Sequence, residues 1–165
     1  MDNKTDLIDA IVSAWAKTDE SLNTNGTEVV GRIVRLASLI NRKVDANLAD
    51  FDLNVGEFDV LAALLRADNH ILAPFELQDL ILISSGGLSN RMKRLEKNGW
   101  ITRTQARKDA RGVVVSLTES GKALVEKAVV AHLALENSLI ESLNEADAKS
   151  LQQLLRGLLI NVDVE

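Results

Sequence analysis

The segment 84–117 constrains the fold of this chain more than any other, because its apolar pattern changes there from helical spacing to strand-like runs. Residues 84–87 are all serine or glycine, which predicts a turn. The amphipathic stretch that follows, 88–98, predicts a helix that ends at Gly99. Two runs rich in β-branched residues come next and flank a charged, glycine-containing tip at 107–112. The segment therefore predicts a turn, a helix and a two-stranded β-hairpin in succession.

Helical spacing of apolar residues dominates the rest of the chain. The single proline permits long helices almost everywhere, and the small number of aromatic residues leaves the core to aliphatic side chains. Capping residues are predicted at Asn54 with Glu57, at Thr118, and at Asn144 with Asp147. We expect helices over about residues 6–23, 27–51, 55–67, 74–81, 88–98, 119–143 and 145–162. The predicted fold class is mainly α with a small β-hairpin.

Composition excludes several classes of function. The absence of cysteine excludes disulfides, thiolate nucleophiles, Cys–metal sites and thiol-based redox sensing. No apolar run approaches ~20 residues, so we expect no membrane span and no membrane partner. The N-terminus begins acidic and lacks a basic secretory segment, so the expected location is cytoplasmic. Two unconnected histidines and no tyrosine argue against an enzyme, and we predict no catalytic residues and no cofactors.

The charges are unevenly distributed along the chain, whose formal net charge is −5. Residues 84–111 contain eight basic and two acidic residues, a net charge of +6, whereas the remainder contains 11 basic and 22 acidic residues, a net charge of −11. A basic stripe on an acidic body is typical of a DNA footprint, although a solvated basic face has the same composition. The succession of turn, basic helix and basic hairpin favours DNA, since a helix-turn-helix places its second helix in the major groove.

The polar side chains of this segment are the candidates for DNA contacts. Leu88, Met92 and Leu95 share the apolar face of the helix, which leaves the polar positions free to face DNA. Asparagine and arginine pair bidentately with adenine and guanine edges, and a narrow cationic hairpin tip can enter a minor groove or straddle phosphates. The predicted DNA-binding residues are Ser85, Ser89, Asn90, Arg91, Lys93, Arg94, Arg107, Lys108 and Arg111.

Two strings of the sequence resemble the MarR family of winged helix-turn-helix transcription regulators. Residues 109–118, DARGVVVSLT, match the wing signature of the family, and residues 85–101 resemble its recognition helix. The resemblance implies an obligate homodimer that binds a palindromic double-stranded DNA operator, usually as a repressor. It also implies an N-terminal dimerisation and ligand-pocket helix at 1–26, a winged helix-turn-helix at 27–118, and C-terminal dimerisation helices at 119–165.

The predicted terminal helices carry the apolar surface that such a dimer needs. The same residues are equally compatible with packing inside one chain. They are Leu124, Ala128, Leu135, Leu139, Leu151, Leu155, Leu158 and Val162.

A narrower resemblance, to the urate-responsive PecS/HucR branch of that family, rests on Trp15 in an extra N-terminal helix and on the strings EFDVLAALLRA and SSGGLSNR. It implies a ligand pocket formed by or coupled to Trp15, Asp59, Arg91 and Arg103. The implied ligand is a small aromatic anion, such as urate, a salicylate-like acid or a purine, that competes for an arginine and displaces the recognition helix. A buried carboxylate at Asp59 needs a partner, for which Arg91 and Arg103 are both candidates. Arg91 could instead contact DNA directly.

Two alternative functions stay open at this stage. One is a constitutive DNA-binding regulator, and the other is a helical protein-interaction module without a small-molecule ligand. His132 and Glu136 lie one helical turn apart but lack a third ligand nearby, so we interpret them as a surface pair and predict no metal site. We interpret His70 as a solvated loop residue.

Overall fold

A computed structural model describes residues 5–81, 85–105 and 112–163 of the chain. These residues are mainly helical and include one small antiparallel sheet, as the sequence predicts. Their helices are α1 (Leu7–Thr18), α2 (Asn25–Ala49), α3 (Val55–Arg66), α4 (Pro74–Leu80), α5 (Ser85–Lys97), α6 (Glu119–Ile140) and α7 (Glu145–Val162). Their strands are β1 (Ile71–Leu72), β2 (Ile101–Gln105) and β3 (Val113–Leu117), and a 3-10 helix (Asp68–His70) precedes β1.

The chain forms two compact units, Met1–Ala46 and Asn47–Glu165, and the boundary between them falls within α2. The first unit consists of α1 and most of α2. The second unit contains the end of α2 and all the other elements.

In the first unit, α1 is held on α2 by one buried side chain and one arginine. Ile8 is buried and covers Gly31 of α2, where a Cβ would lie 3.0 Å from the Cδ1 of Ile8. Arg32 of α2 forms ion pairs with Asp6 at 2.8 Å and with Asp9 at 2.6 Å. The two carboxylates also form the capping box of α1, so the same residues begin the helix and attach it.

The predicted helix caps of the second unit are confirmed. The Asn54 side chain accepts a hydrogen bond from the backbone N–H of Glu57 at 3.0 Å, and the Glu57 carboxylate accepts from the backbone N–H of Asn54 at 3.1 Å. The hydroxyl of Thr118 accepts from the N–H of Gly121, and Asn144 caps α7 by accepting from a backbone N–H one turn later. These local bonds fix where α3, α6 and α7 begin.

Helix α3 is the centre of the second unit. Its residues 60–64 are all apolar and all buried, and Leu61 and Leu64 are fully inaccessible to solvent. Five consecutive apolar residues cover the whole circumference of a helix, so this stretch must be covered on several sides. Helix α3 packs against α4, α5, α6 and β3. The core of this unit therefore surrounds α3, and the recognition elements are built on it.

The sheet contains one strand more than the sequence predicts. Strands β2 and β3 pair antiparallel as the predicted hairpin, with Ile101 opposite Leu117, and β1 adds to the other edge of β3. Two residues are too short to show a strand period, so β1 leaves no pattern in the sequence. The chain enters β1 through His70, whose φ is +58° and whose Nδ1 lies 3.1 Å from the carbonyl oxygen of Leu65. His70 is therefore a partly buried turn residue that is bonded to the backbone.

Several helix boundaries differ from the sequence prediction, among them the end of α6 at Ile140. Helix α1 ends at Thr18, α2 begins at Asn25, and α5 already begins at Ser85. Residues 85–87, predicted as a turn, therefore form the first turn of α5. The first four N–H groups of any helix lack an intrahelical partner, so small residues there do not show by composition alone whether they belong to the helix.

The end of α5 is joined to the start of α6 by a dense set of contacts. Gly99 has a φ of +73° and ends the helix, as its residue type predicts. The hydroxyls of Thr118 and Ser120 both donate to the carbonyl oxygen of Gly99, at 2.7 Å and 3.1 Å. At Gly121 a Cβ would lie 2.0 Å from the carbonyl oxygen of Trp100. The first turn of α6 is thus seated directly on the turn that separates α5 from β2.

Helix α7 has no buried residue within the chain, although many of its side chains are apolar. Leu154, Leu159 and Val162 have exposed fractions of 72%, 66% and 71%. Of the residues predicted for the C-terminal interface, Ala128 is fully buried inside the second unit, where α6 packs on α3. No described helix is long and apolar enough to span a membrane.

Candidate nucleic-acid interface

Helix α5 has one buried face and one exposed face, as its pattern predicts. Leu88, Met92 and Leu95 are buried, with at most 5% of each residue exposed. Ser89, Asn90, Lys93, Arg94 and Lys97 are exposed. The apolar face fixes α5 to α3, and the polar face of the helix points away from the core.

Four of the predicted DNA-binding side chains lie outside the described part of the chain. They are the side chain of Ser85 and the wing-tip residues Arg107, Lys108 and Arg111. The described strands β2 and β3 lead directly to this tip, since Gln105 pairs with Val113 at the last register position.

The guanidinium of Arg94 is bound by two carboxylates of the same chain. Its Nη1 lies 3.2 Å from the Oε1 of Glu57, and its Nη2 lies 3.2 Å from the Oδ1 of Asp52. The same Nη2 donates to the backbone carbonyl of Asp52 at 3.2 Å. Glu57 is buried and Asp52 is exposed, so Arg94 links α5 both to the first turn of α3 and to the turn before it. The sequence indicated Glu57 only as a cap and gave no signal for this link.

Arg91 is partly buried and lies against the start of α3. A Cβ at Gly56 would lie 2.0 Å from the Nε of Arg91 and 2.2 Å from its Cζ, so the guanidinium occupies the space that the glycine leaves. The Nη1 of Arg91 is buried and has no hydrogen-bond partner among the described residues. A buried donor without an acceptor is costly, which makes this nitrogen a candidate for binding an acceptor from outside the chain.

Asp59 shares this region with Arg91. Burial raises the pKa of Asp59 above its ordinary value, and the positive charges of Arg91, His132 and Arg66 act against that rise. Asp59 forms no ion pair within 4.0 Å in the described part of the chain, so it is coupled to Arg91 through space rather than by direct contact. The charge of Arg91 therefore acts on Asp59, but the two side chains form no ion pair with each other.

His132 of α6 borders the same region and was not predicted as part of it. Its ring lies 4.7 Å from the ring of Phe58, centroid to centroid, and its Nε2 lies 3.2 Å from the Oε1 of Glu136. The predicted pairing of His132 with Glu136 is present, but the histidine side chain is only 17% exposed. The helical spacing of the two residues shows their pairing but cannot show what the ring packs against.

Arg103 is bound by Glu96. Both its Nε and its Nη2 contact the Oε2 of Glu96, which joins β2 to α5. The hydrogen bond from Arg103 holds the pKa of Glu96 below its ordinary value. Of the two arginines considered as partners for Asp59, Arg91 is the one whose charge acts on it, and Arg103 has a carboxylate partner elsewhere.

Trp15 belongs to the first unit and is 48% exposed. It lines a shallow surface pocket of about 350 Å³ together with Leu22, Asn23, Thr24 and Thr27, at the connection between α1 and α2. The pocket is open to solvent.

Comparisons with known proteins agree with this architecture. A sequence profile described as the MarR family matches residues 51–112. The HTH-type transcriptional regulator PecS of Dickeya dadantii (strain 3937) is 30% identical over 146 residues, which cover 88% of each chain. Helices α3 to α5 and β2 lie within the matched region.

Two solved structures have the same fold. A mutant of E. coli MarR complexed with operator DNA is 27% identical, with a TM-score of 0.71 over 84% of this chain and 99% of that chain. An organohalide-sensing transcriptional regulator in its 2,4-dichlorophenol-bound form is 20% identical, with a TM-score of 0.74 over 86% of this chain and 83% of that chain.

Proposed function

Because the chain belongs to the MarR family of DNA-binding transcription regulators, we propose that it is a homodimeric repressor of a palindromic operator that a small aromatic anion releases from DNA. Urate, a salicylate-like acid or a purine has the required chemistry. The observation that carries this proposal is that α5 has one buried apolar face and one exposed polar face. Leu88 and Leu95 anchor the buried face. The exposed face carries Ser89, Asn90 and Lys93.

The proposed DNA contacts follow from these exposed side chains. Asn90 suits an adenine edge, and Ser89 suits a phosphate or a base. Lys93 supplies a positive charge for the backbone, and the basic wing tip 107–111 supplies three more. The E. coli relative of the same fold is solved with operator DNA, which supports this mode of binding.

The proposal of a homodimer is supported by α7. An isolated chain would leave the apolar side chains of this helix in water, with Leu154 and Val162 more than two thirds exposed. Contiguous apolar surface of this kind marks an interaction site in a soluble protein. In a two-fold dimer the same face of each copy covers the other, and the two reading helices are then presented to successive turns of a duplex.

The proposal of an anionic ligand is supported by Arg91 and Asp59. The buried Nη1 of Arg91 has no described acceptor, and an oxygen of an anion would supply one. Burial raises the pKa of Asp59, so this carboxyl takes up a proton more readily than a solvated one, which lowers the cost of placing an anion beside it. A relative of the same fold is solved with a chlorinated phenol, a ligand of related chemistry.

The ligand would act on DNA binding through α5, because Arg91 lies on that helix. An anion that draws the guanidinium away from Gly56 changes the packing of α5 on α3. Coupling of two sites by such a shift is typically worth ~1–3 kcal/mol, which corresponds to about a 5- to 150-fold change in affinity.

A gel shift on the DNA that flanks the protein's own gene, with and without urate, tests the proposed function. We expect a retarded complex that urate dissociates, and a linear fall of log K against log salt of roughly 0.9 per neutralised phosphate. Salicylate and xanthine serve as parallel ligands. DNA binding that none of these ligands changes would favour a constitutive regulator, and a flat salt response would contradict the proposed DNA interface.

A further inference from the structure

Arg94 is the exposed arginine of α5, but its guanidinium faces the protein. Its Nη1 contacts Glu57 at 3.2 Å, and its Nη2 contacts both the carboxylate and the carbonyl oxygen of Asp52 at 3.2 Å. Both terminal nitrogens of the side chain are therefore engaged at one end of α3. A guanidinium whose two terminal nitrogens both contact the protein cannot also use them for a bidentate pair with a guanine edge.

Glu57 explains why this contact is needed. Its carboxylate is only 2% exposed, and it also accepts the backbone N–H of Asn54 to cap α3. A buried carboxylate requires a compensating charge, and Arg94 is the cation that the structure places against it. The same carboxylate that caps α3 therefore binds a residue of α5 and joins the two helices.

We propose that Arg94 is a positioning residue that sets the orientation of α5 on α3 for DNA reading, through the buried carboxylate of Glu57 and the turn at Asp52. This inference rests on the proposed placement of α5 in the major groove. It also changes the role expected for Arg94 from its residue type, since a cationic residue on a reading helix is ordinarily assigned to DNA.

The two roles predict opposite effects when the carboxylate at residue 57 is neutralised. If Arg94 contacted phosphate, Glu57→Gln would free the guanidinium and remove a negative charge near DNA, and affinity would rise. If Arg94 positions α5, Glu57→Gln removes the charged partner and affinity falls. Glutamine keeps a side-chain oxygen for the cap of α3, so the variant retains the local helix start.

The experiment uses two probes, a duplex that the unaltered protein selects from a random-sequence pool and a scrambled duplex of equal length. We expect Glu57→Gln and Arg94→Ala each to weaken binding of the selected duplex about tenfold, the effect of losing one charge-assisted hydrogen bond. Binding of the scrambled duplex should change by less than about twofold, and the salt slope should be unchanged, because no phosphate contact is lost. Arg94→Lys keeps the positive charge but cannot contact Glu57 and Asp52 at the same time. We therefore expect it to bind the selected duplex as weakly as Arg94→Ala does.

Lys93→Ala is the matched control, one position away on the exposed face of α5. It should weaken both duplexes and reduce the salt slope by about 0.9. Circular dichroism at the assay temperature checks that each variant is folded. If Glu57→Gln does not fold, Asp52→Asn provides the same test of whether DNA affinity rises or falls. The Asp52 side chain is 78% exposed, so this substitution leaves no buried group unpaired.

Three results would overturn the inference: tighter or unchanged binding by Glu57→Gln, equal weakening of both duplexes by Arg94→Ala with a reduced salt slope, or full recovery by Arg94→Lys. If Asn90→Ala and Lys93→Ala instead leave both duplexes bound as before, α5 is not the reading helix, and it is the proposed DNA interface that fails.

Discussion

The guanidinium of Arg91 occupies the space that a Cβ on residue 56 would fill, since such a Cβ would lie 2.0 Å from the Nε of the arginine. The position of this α5 side chain therefore depends on the absence of a side chain at residue 56, in the first turn of α3. A substitution at residue 56 can move Arg91, one of the two groups that we propose to respond to the ligand, without replacing it.

Gly56→Ala should mimic the bound ligand, so that DNA binding is weakened and little further response to urate remains. The added methyl group forces the guanidinium of Arg91 away, and overpacking of this kind costs about 1–3 kcal/mol, with the lower end expected because a flexible side chain can move. Urea unfolding measures the stability, and the gel shift with urate measures the response. Gly26→Ala is the control, because a Cβ there meets nothing within 4 Å. A variant with an intact urate response would contradict the proposed role of Arg91.

Gly121→Ala should be more destabilising than Gly56→Ala. Its Cβ would lie 2.0 Å from the backbone carbonyl oxygen of Trp100, which cannot swing aside as an arginine can. We expect a loss of about 3 kcal/mol in the free energy of unfolding, at the upper end of the range for overpacked sites. Thermal and urea unfolding of both variants and of the Gly26→Ala control measure the loss of stability in each. Equal stabilities would show that the junction of α5, β2 and α6 is looser than these distances require.

Asp59→Asn should change how stability depends on pH. Because burial raises the folded-state pKa of Asp59, the stability associated with its protonated form is fully present below the unfolded value near 3.8 and is lost as pH rises through the folded-state pKa. Asparagine does not titrate, so the variant should gain stability relative to the wild type over that window. Urea unfolding at a series of pH values measures the difference.

Asp19→Asn is the control of opposite sign for this pH series. Hydrogen bonds from Ser21 lower the pKa of Asp19, so its contribution is present above 3.8 and is lost as pH falls through the lowered value. Parallel pH profiles for the wild type and Asp59→Asn would contradict the burial of that carboxyl.

Leu154→Glu together with Leu159→Glu should convert the proposed dimer into a monomer and abolish the proposed operator binding. Both residues are largely exposed, at 72% and 66%, so a charge there costs the single chain little and is strongly unfavourable in an apolar interface. Light scattering coupled to gel filtration measures the mass, and the gel shift measures DNA binding. Gln153→Glu on the same helix is the matched control. A double variant that remains dimeric would exclude α7 from the interface.

Local chemistry determined much of this fold. The caps at Asn54, Thr118 and Asn144, the end of α5 at Gly99, and the two paired wing strands could be predicted because each depends on residues close in sequence. The buried and exposed faces of α5 could be predicted for the same reason, since helical spacing alone decides which side chains share a face.

Only the tertiary structure decided what those side chains contact. Arg94 and Asp52 lie 42 positions apart, and the charges that act on Asp59 include those of Arg91 and His132, which lie on two other helices. No period in a sequence encodes such pairings, because they arise from the way α5 and α6 pack on α3. The sequence by itself thus determined that α5 carries a cationic exposed face. The packing of α5 on α3 decided that both arginines of α5 lie against the start of α3, Arg91 at Gly56 and Arg94 at Glu57.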